Sequence, residues 1–515
     1  MPTQLAGTTQ DLALGRTKGD QVDILDLARW QFAITTVYHF IFVPVTIGMA
    51  PLVAIMQTKW LKNGEEHWLK LSEFFGKLLI INFAIGIATG IVQEFQFGMG
   101  WSEYSRYVGD IFGAPLAFEA LLAFFLESTF LGIWIFGRGR VTPKVHTAAI
   151  WLFAIGSDIS ALFILAANSF MQNPTGATFN AETGRAELSS MGGFLNVLFS
   201  ATSMYTFLHT LAASILIAGA GIAAIALWWL VKTVKTHATE AEDLWKPAAH
   251  FGLVAMLIGS VLVITTGHFA GQHITEVQPT KMAAAMGINT TEEGTGAELG
   301  LIYTGGDLAK GEGNVITLPI PGLESFMATN DPNGVIQGAK DLQEQFASEF
   351  GATYANGDPI NYIPNVGVTF YSFRIMMAVG FIALLLSVIG LLALKKPQSI
   401  SPAFAKMFLW STLLPFIASS AGWIMTEVGR QPWVVYPNFA GDTSVRQLTM
   451  DGVSLTVHPF EIWFSLIIFT LLYLVLGIIW FILMKRYTQE GINTKKTITT
   501  DVVELSDNTV LSFSY

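Results

Sequence analysis

The run from Gly422 to Trp433, GWIMTEVGRQPW, sets the carboxylate of Glu427 and the guanidinium of Arg430 at the end of an otherwise apolar segment. Charge in a bilayer-spanning helix is costly, so such groups are usually paired and functional. His39, Glu119, Glu127, His209 and Met376 stand in other apolar stretches. Histidine and methionine are an axial pair for a six-coordinate, electron-transferring haem, and His209 with Met376 is the pair that fits. Arg374, two residues before Met376, can hold a haem carboxylate or tune the potential by its charge. His39 and Glu427 offer one ligand each, which suits five-coordinate iron with an open face for O2. Glu119 and Glu127 are eight residues apart, so a straight helix separates them by about 12 Å along its axis and about 80° around it. That spacing suits two stations of a water-assisted proton path, with Asp158 and Ser160 adding polar groups from another segment.

Each residue type also has a structural reading. A lone histidine in an apolar helix is more often bonded to a neighbour than to a metal. A lone methionine is usually packing material. A buried glutamate can be a proton carrier, an ion site or a protonated donor, and a helical serine usually bonds back to its own helix. His67, His146, His237 and His250 fall at helix ends on one side, where solvation or a helix terminus suffices. His268, His273 and His458 are external or interfacial, with no assigned role.

These groups need an apolar frame, and the composition supplies one. Of 515 residues, 52% are hydrophobic and only 13% charged, with mean hydropathy +0.50; soluble domains are about 25% charged. The formal net charge of -10 offers no basic surface to nucleic acid. With no cysteine, disulfides, thiolate-ligated haem and cysteine-held iron–sulfur clusters are excluded. The first twenty residues lack the apolar core of a cleavable signal.

Stretches long enough to cross about 30 Å of hydrocarbon fall near 30–57, 74–97, 112–136, 145–170, 205–231, 248–270, 368–393, 405–428 and 460–484. The expected organisation is an N-terminal segment 1–29, six spans within 30–270, a polar segment 271–367, three spans within 368–484, and a tail 485–515. The polar segment is too long for a simple connector, so it is a functional loop or a partly disordered one. No internal repeat is visible, which weakens an inverted-repeat transporter reading. Lys59, Lys62, Lys70, Arg138, Arg140, Lys144, Lys232, Lys235, Lys246, Lys395, Lys396 and Lys406 gather on one set of connections. The positive-inside rule puts that set and the tail in the cytoplasm, and the N-terminus and long segment outside. At about 1.5 Å rise per residue, His39 lies about 14 Å below the outer edge. His209, Met376, Glu94, Glu119, Glu427 and Arg430 converge on the same half.

Several long motifs, in order, carry a family resemblance: RWQFA at 29–33, YHF at 38–40, GAPLAFEALLAFFLEST at 113–129, MQNP at 171–174, FRIM at 373–376 and GRQPW at 429–433. From its first helix to its ninth, the chain resembles subunit I of cytochrome bd-type quinol oxidases. The resemblance implies an all-α, polytopic membrane helix bundle that oxidises quinol and reduces O2 to water. It implies two haem b groups, one low-spin and one high-spin, and one haem d. His209 and Met376 would ligate the low-spin haem, beside Arg374. His39 and Glu427 would ligate the two high-spin haems, with the choice of haem d between them open. Trp423 would stand among the haems and Arg430 would hold a propionate. Glu119, Glu127 and Ser160 match proton-path or haem-adjacent positions. The outer segment resembles the shorter form of a quinol-binding loop, with Gln278 and Lys281 at its start. The family pattern has a glutamate five residues after that lysine; here Met286 stands there, and the next acid is Glu292.

The implied enzyme sits in the bacterial cell membrane as a heterodimer with a homologous subunit II; a small accessory subunit is left open. Quinol releases protons outside and oxygen reduction takes protons from the cytoplasm, separating charge without pumping. Ubiquinol and menaquinol are not distinguished. Two other classes are an ion-coupled transporter using the intramembrane carboxylates and a haem b electron-transfer module without oxygen chemistry. The transporter leaves the His/Met pair unexplained.

Overall fold

A computed structural model describes residues 18–235 and 239–492. His237, residues 1–17 of the N-terminal segment and the tail beyond 492 lie outside the described residues. Among those described, nine helices are long and apolar enough to cross a membrane. Six precede the long polar segment: Ile24–Asn63, Glu66–Gly98, Gly109–Phe136, Pro143–Gln172, Met191–Val234 and Asp243–Val277. Val366–Ala393, Pro402–Val428 and Pro459–Glu490 follow it. The fold is an all-α membrane bundle, with strands only as two-stranded antiparallel pairs among the described residues.

Two prolines break helices that the hydropathy pattern presents as continuous, and a third precedes a local π turn. The first span is two helices, Lys18–His39 and Val43–Asn63. Pro44 has no N–H for the Phe40 carbonyl, and its ring crowds that carbonyl. The break falls just after His39, whose carbonyl instead accepts from Phe42 N at 3.0 Å. The eighth span divides into Pro402–Ser411 and Leu413–Val428, where Pro415 cannot serve the Ser411 carbonyl. In the third span Pro115 precedes a π turn over Glu119–Ala123, in which Phe124 N bonds back to Glu119 O.

The fifth and sixth spans form the tightest helix pair. A Cβ built on Gly219, Gly252 or Gly259 would lie within 2.5 Å of backbone nitrogen on the facing helix, so these glycines let the two backbones touch, as small residues do in membrane interfaces. The sixth helix runs on to Val277, so the inter-span segment starts at Gln278 rather than 271. The ninth runs to Glu490, so the region expected as tail begins as helix.

The segment between the sixth and seventh spans is folded. It contains helix Pro279–Met286, a hairpin of Leu299–Gly305 with Asn314–Leu318, and helices Leu323–Thr329 and Ala339–Phe350. Phe346, Tyr362, Trp433 and Tyr436, with Leu342, make a largely aromatic core beneath it. That core joins the loop to the turn that follows Arg430.

Candidate functional site

Two histidines are held in the same way. His39 Nδ1 lies 2.9 Å from Thr89 Oγ1, and His209 Nδ1 lies 3.0 Å from Thr266 Oγ1. Thr89 gives its one hydroxyl proton to the carbonyls of Ile85 and Gly86, at 3.1 and 3.0 Å. Thr266 gives its proton to Leu262 O at 2.8 Å. Each oxygen is thereby placed to accept an Nδ1–H, and that tautomer leaves Nε2 its lone pair. That is the tautomer a metal needs, with the outer partner orienting the ring. Sequence reading found both histidines and missed both threonines; the only signal was a threonine in the facing apolar helix.

His146 makes the contrast. Its Nδ1 meets Gln57 Nε2 at 2.6 Å and its Nε2 meets Trp134 O at 2.7 Å. With both nitrogens engaged, it is a buried cross-link of three spans rather than the solvated helix-end residue expected. His458 caps the ninth span in a reciprocal capping box with Glu461.

His39 lines a cavity of about 460 Å³, together with Glu94, Glu119, Glu127, Ser160 and Trp423. Cofactor sites typically occupy about 300–1,000 Å³. Thr210, next to His209, reaches the same wall. Trp423 meets Phe40 edge-on, with ring centroids 5.0 Å apart. One residue earlier, a Cβ built on Gly422 would lie 3.1 Å from Met376 Sδ. The eighth span thus meets the seventh at Met376 and the first at Phe40.

Glu119 and Glu127 both face this cavity, which a straight helix would not allow so readily. The π turn inserts one residue, so the phase between them is that of about seven residues, roughly 20° instead of 80°. The expected angular offset is therefore corrected. Ser160 Oγ donates to Glu119 Oε1 at 2.8 Å, joining the fourth span to the third rather than bonding back to its own helix. Asp158 is not among the cavity residues, and its Oδ1 is buried without a partner among the described residues.

Glu427 is held on both oxygens. Oε1 accepts from Asn168 Nδ2 at 2.9 Å and Gln172 Nε2 at 3.4 Å. Oε2 accepts from Arg430 Nη2 at 2.5 Å. Arg430 is 3% exposed, and its Nε and Nη1 find no partner among the described residues. Buried donors are rarely left unpaired. Two unpartnered guanidinium nitrogens, with three N–H groups between them, fit an anionic group such as a haem propionate.

Gln278 and Lys281 are buried rather than open to a ligand, each 1% exposed. Gln278 Nε2 donates to Gln172 O at 2.8 Å, and Lys281 Nζ donates to Gln172 Oε1 at 2.7 Å. Gln172 therefore links the loop to Glu427. Burial, with Arg430 nearby, pushes the Lys281 ammonium down to about 7. Arg374 reaches the loop instead of standing free: Nε donates to Gly300 O at 2.9 Å, Nη2 to Glu324 Oε1 at 2.9 Å, and Nη1 to Ala285 O. Two of its five N–H groups remain for another acceptor. Glu292 is exposed on a turn and does not supply the carboxylate missing at Met286.

The chain is similar to known proteins over most of its length. Residues 27–492 match the family model for cytochrome bd terminal oxidase subunit I. The chain is 38% identical to cytochrome bd ubiquinol oxidase subunit 1 of Bacillus subtilis (strain 168), over 91% of this chain and 94% of that one. It is 35% identical to cytochrome bd-II ubiquinol oxidase subunit 1 of Escherichia coli (strain K12), over 91% and 97%. Its fold matches the bd oxidase structure from Geobacillus thermodenitrificans with a TM-score of 0.77 and 25% identity, covering 92% of this chain and 100% of that chain. The chain belongs to the cytochrome bd terminal oxidase subunit I family.

Proposed function

We propose that this chain is the haem-holding subunit of a membrane terminal oxidase that takes electrons from quinol and passes them to O2. The observation that carries the haem reading is the matched pair of histidines, each with Nδ1 on a threonine hydroxyl of the facing helix. His209 and Met376 would hold a low-spin haem b. His39 and Glu427 would each hold a high-spin haem, one b and one d. The haems, when bound, supply electron transfer and oxygen reduction.

The chain's own residues position and balance that chemistry. Thr89 and Thr266 fix the imidazole rings. Arg430 neutralises Glu427 and offers its unpaired Nε and Nη1 to a propionate. Trp423 lines the cavity with His39, one residue after the Gly422 that faces Met376. Glu119, hydrogen-bonded to Ser160, and Glu127 beside it hold and hand on protons along one wall.

Quinol is taken under the segment that starts at Gln278 and Lys281, and Gln172 transmits the loop's position to Glu427. The loop and N-terminus face outside and the basic connections face the cytoplasm, so proton uptake and release on opposite sides separate charge without pumping. The working unit includes a homologous second subunit. The visible spectrum of the purified enzyme is the test. Low-spin b, high-spin b and a red-shifted chlorin band are expected; absence of haem would return the transporter reading, and b-type haem alone the electron-transfer module.

A further inference from the structure

Glu324 had no place in the sequence-based site, yet it is among the most enclosed acids of the chain, at 1% exposure. Its Oε1 receives Arg374 Nη2 at 2.9 Å and its Oε2 receives Gly300 N at 3.2 Å. The same guanidinium donates to Gly300 O and Ala285 O. It also lies on the Phe370 ring, with Cζ 3.5 Å from the centroid. One cation thus ties down three separate stretches of the loop: helix Pro279–Met286, strand Leu299–Gly305 and helix Leu323–Thr329. The Met286 carbonyl packs on Gly300, 3.1 Å from where a Cβ there would stand.

Arg374 stands two residues before Met376 on the seventh span. Anything that fixes this guanidinium fixes the loop relative to the Met376 helix. A neutral acceptor could satisfy the Gly300 N–H, but only an anion balances a buried guanidinium. We propose that Glu324 is a positioning residue of the quinol-oxidising site, holding Arg374 and thereby seating the loop on the helix that carries Met376. This rests on the reading of Met376 as a low-spin haem ligand and of the loop as the quinol site.

The test uses the assembled oxidase with Glu324→Gln, which keeps volume and hydrogen bonding but not charge, and Glu324→Asp, which keeps the charge. In Glu324→Gln the quinol KM is expected to rise about tenfold, as loss of one charge-assisted hydrogen bond allows. Oxygen consumption from an artificial donor that bypasses quinol should stay within about twofold, a margin well below that tenfold effect. The low-spin midpoint potential should move upward, because an unbalanced cation favours the reduced haem, and the loop should become easier to cleave by protease. Glu324→Asp should retain the wild-type potential. Wild-type KM, potential and protease resistance in Glu324→Gln would overturn the inference. If that variant does not accumulate, Gly300→Ala strains the same knot, since its Cβ would meet Arg374 Nη2 at 3.0 Å; an unchanged quinol KM there would overturn it equally. His209→Ala in the same host separates the two readings. Retention of the low-spin band in His209→Ala defeats the ligand assignment, whereas loss of that band with a silent Glu324→Gln defeats only the role of Glu324.

Discussion

Thr266 Oγ1 and His209 Nδ1 lie 3.0 Å apart, and the same hydroxyl lies 2.8 Å from Leu262 O. With the threonine proton on that carbonyl, the histidine donates from Nδ1 and Nε2 keeps the lone pair that an iron ligand needs. Thr266→Val keeps the shape and removes the acceptor. Loss of such an outer partner typically costs about 10–100-fold in metal affinity or activity. The low-spin band should weaken or broaden in Thr266→Val and recover in Thr266→Ser. Equal haem content and spectra in both variants would mean that the threonine does not set the tautomer.

Arg430 and Glu427 form a pair at 2.5 Å, with the arginine nearly sealed from solvent. Removing one partner of a buried pair typically costs about 3–5 kcal/mol, because the other charge is left uncompensated. Arg430→Gln should lower thermal stability and deplete a high-spin haem. Arg430→Lys should rescue little, since an ammonium cannot span Glu427 and a propionate as a planar fork does. Haem content per protein and the melting temperature are the readouts; wild-type values in Arg430→Gln would refute the pairing.

The carboxylates on the cavity wall make a graded prediction. Glu127→Gln cannot ionise but keeps size and hydrogen bonding. It should slow steady-state oxygen reduction while leaving every haem bound and the low-spin haem reducible by quinol. Glu119→Gln should also disturb the high-spin spectra, and Ser160→Ala should mimic it weakly through the lost 2.8 Å bond. Oxygen consumption and proton uptake in reconstituted vesicles decide the matter. Full activity in Glu127→Gln would leave that residue a permanently protonated structural donor.

Lys281 gives the loop a pH signature. Its pKa in the docked loop is about 7 against an ordinary 10.5, chiefly through burial. Between those values the undocked lysine binds a proton that the docked one does not, so docking strengthens as pH rises from about 7 towards about 10.5. Below about 7 both forms are protonated and the dependence flattens. Protease resistance of the loop should increase from pH 7 to about 9, and Lys281→Met should remove most of that increase. A flat profile in the unaltered protein would contradict the burial argument.

How much of this was legible beforehand follows from what each residue's role depends on. Glu427 and Arg430 announce themselves because a charge in an apolar run is costly wherever it lands. The spans were legible for the same reason, as was the membrane class. The helix breaks were missed although Pro44 and Pro415 were in view, because hydropathy averages over a proline and only the hydrogen-bond pattern records its missing N–H. The π turn that swings Glu119 towards the face of Glu127 leaves no mark in composition at all. Thr89, Thr266, Gln172 and Glu324 act through partners tens to hundreds of residues away, and a linear spacing holds no information about such contacts. Lys281 was found by resemblance, but its burial against Gln172 depends on the loop being folded, which its Gly, Asn and Asp content did not foretell.

The central claim is that His209 and Met376 hold one low-spin haem. Its most direct measurement is the reduced-minus-oxidised visible spectrum of the purified oxidase carrying His209→Ala or Met376→Leu. Each substitution deletes one axial bond, so the account predicts loss of the low-spin signal or its conversion to high spin, with quinol oxidation abolished and the high-spin haems retained. An unchanged low-spin spectrum in either variant would contradict it.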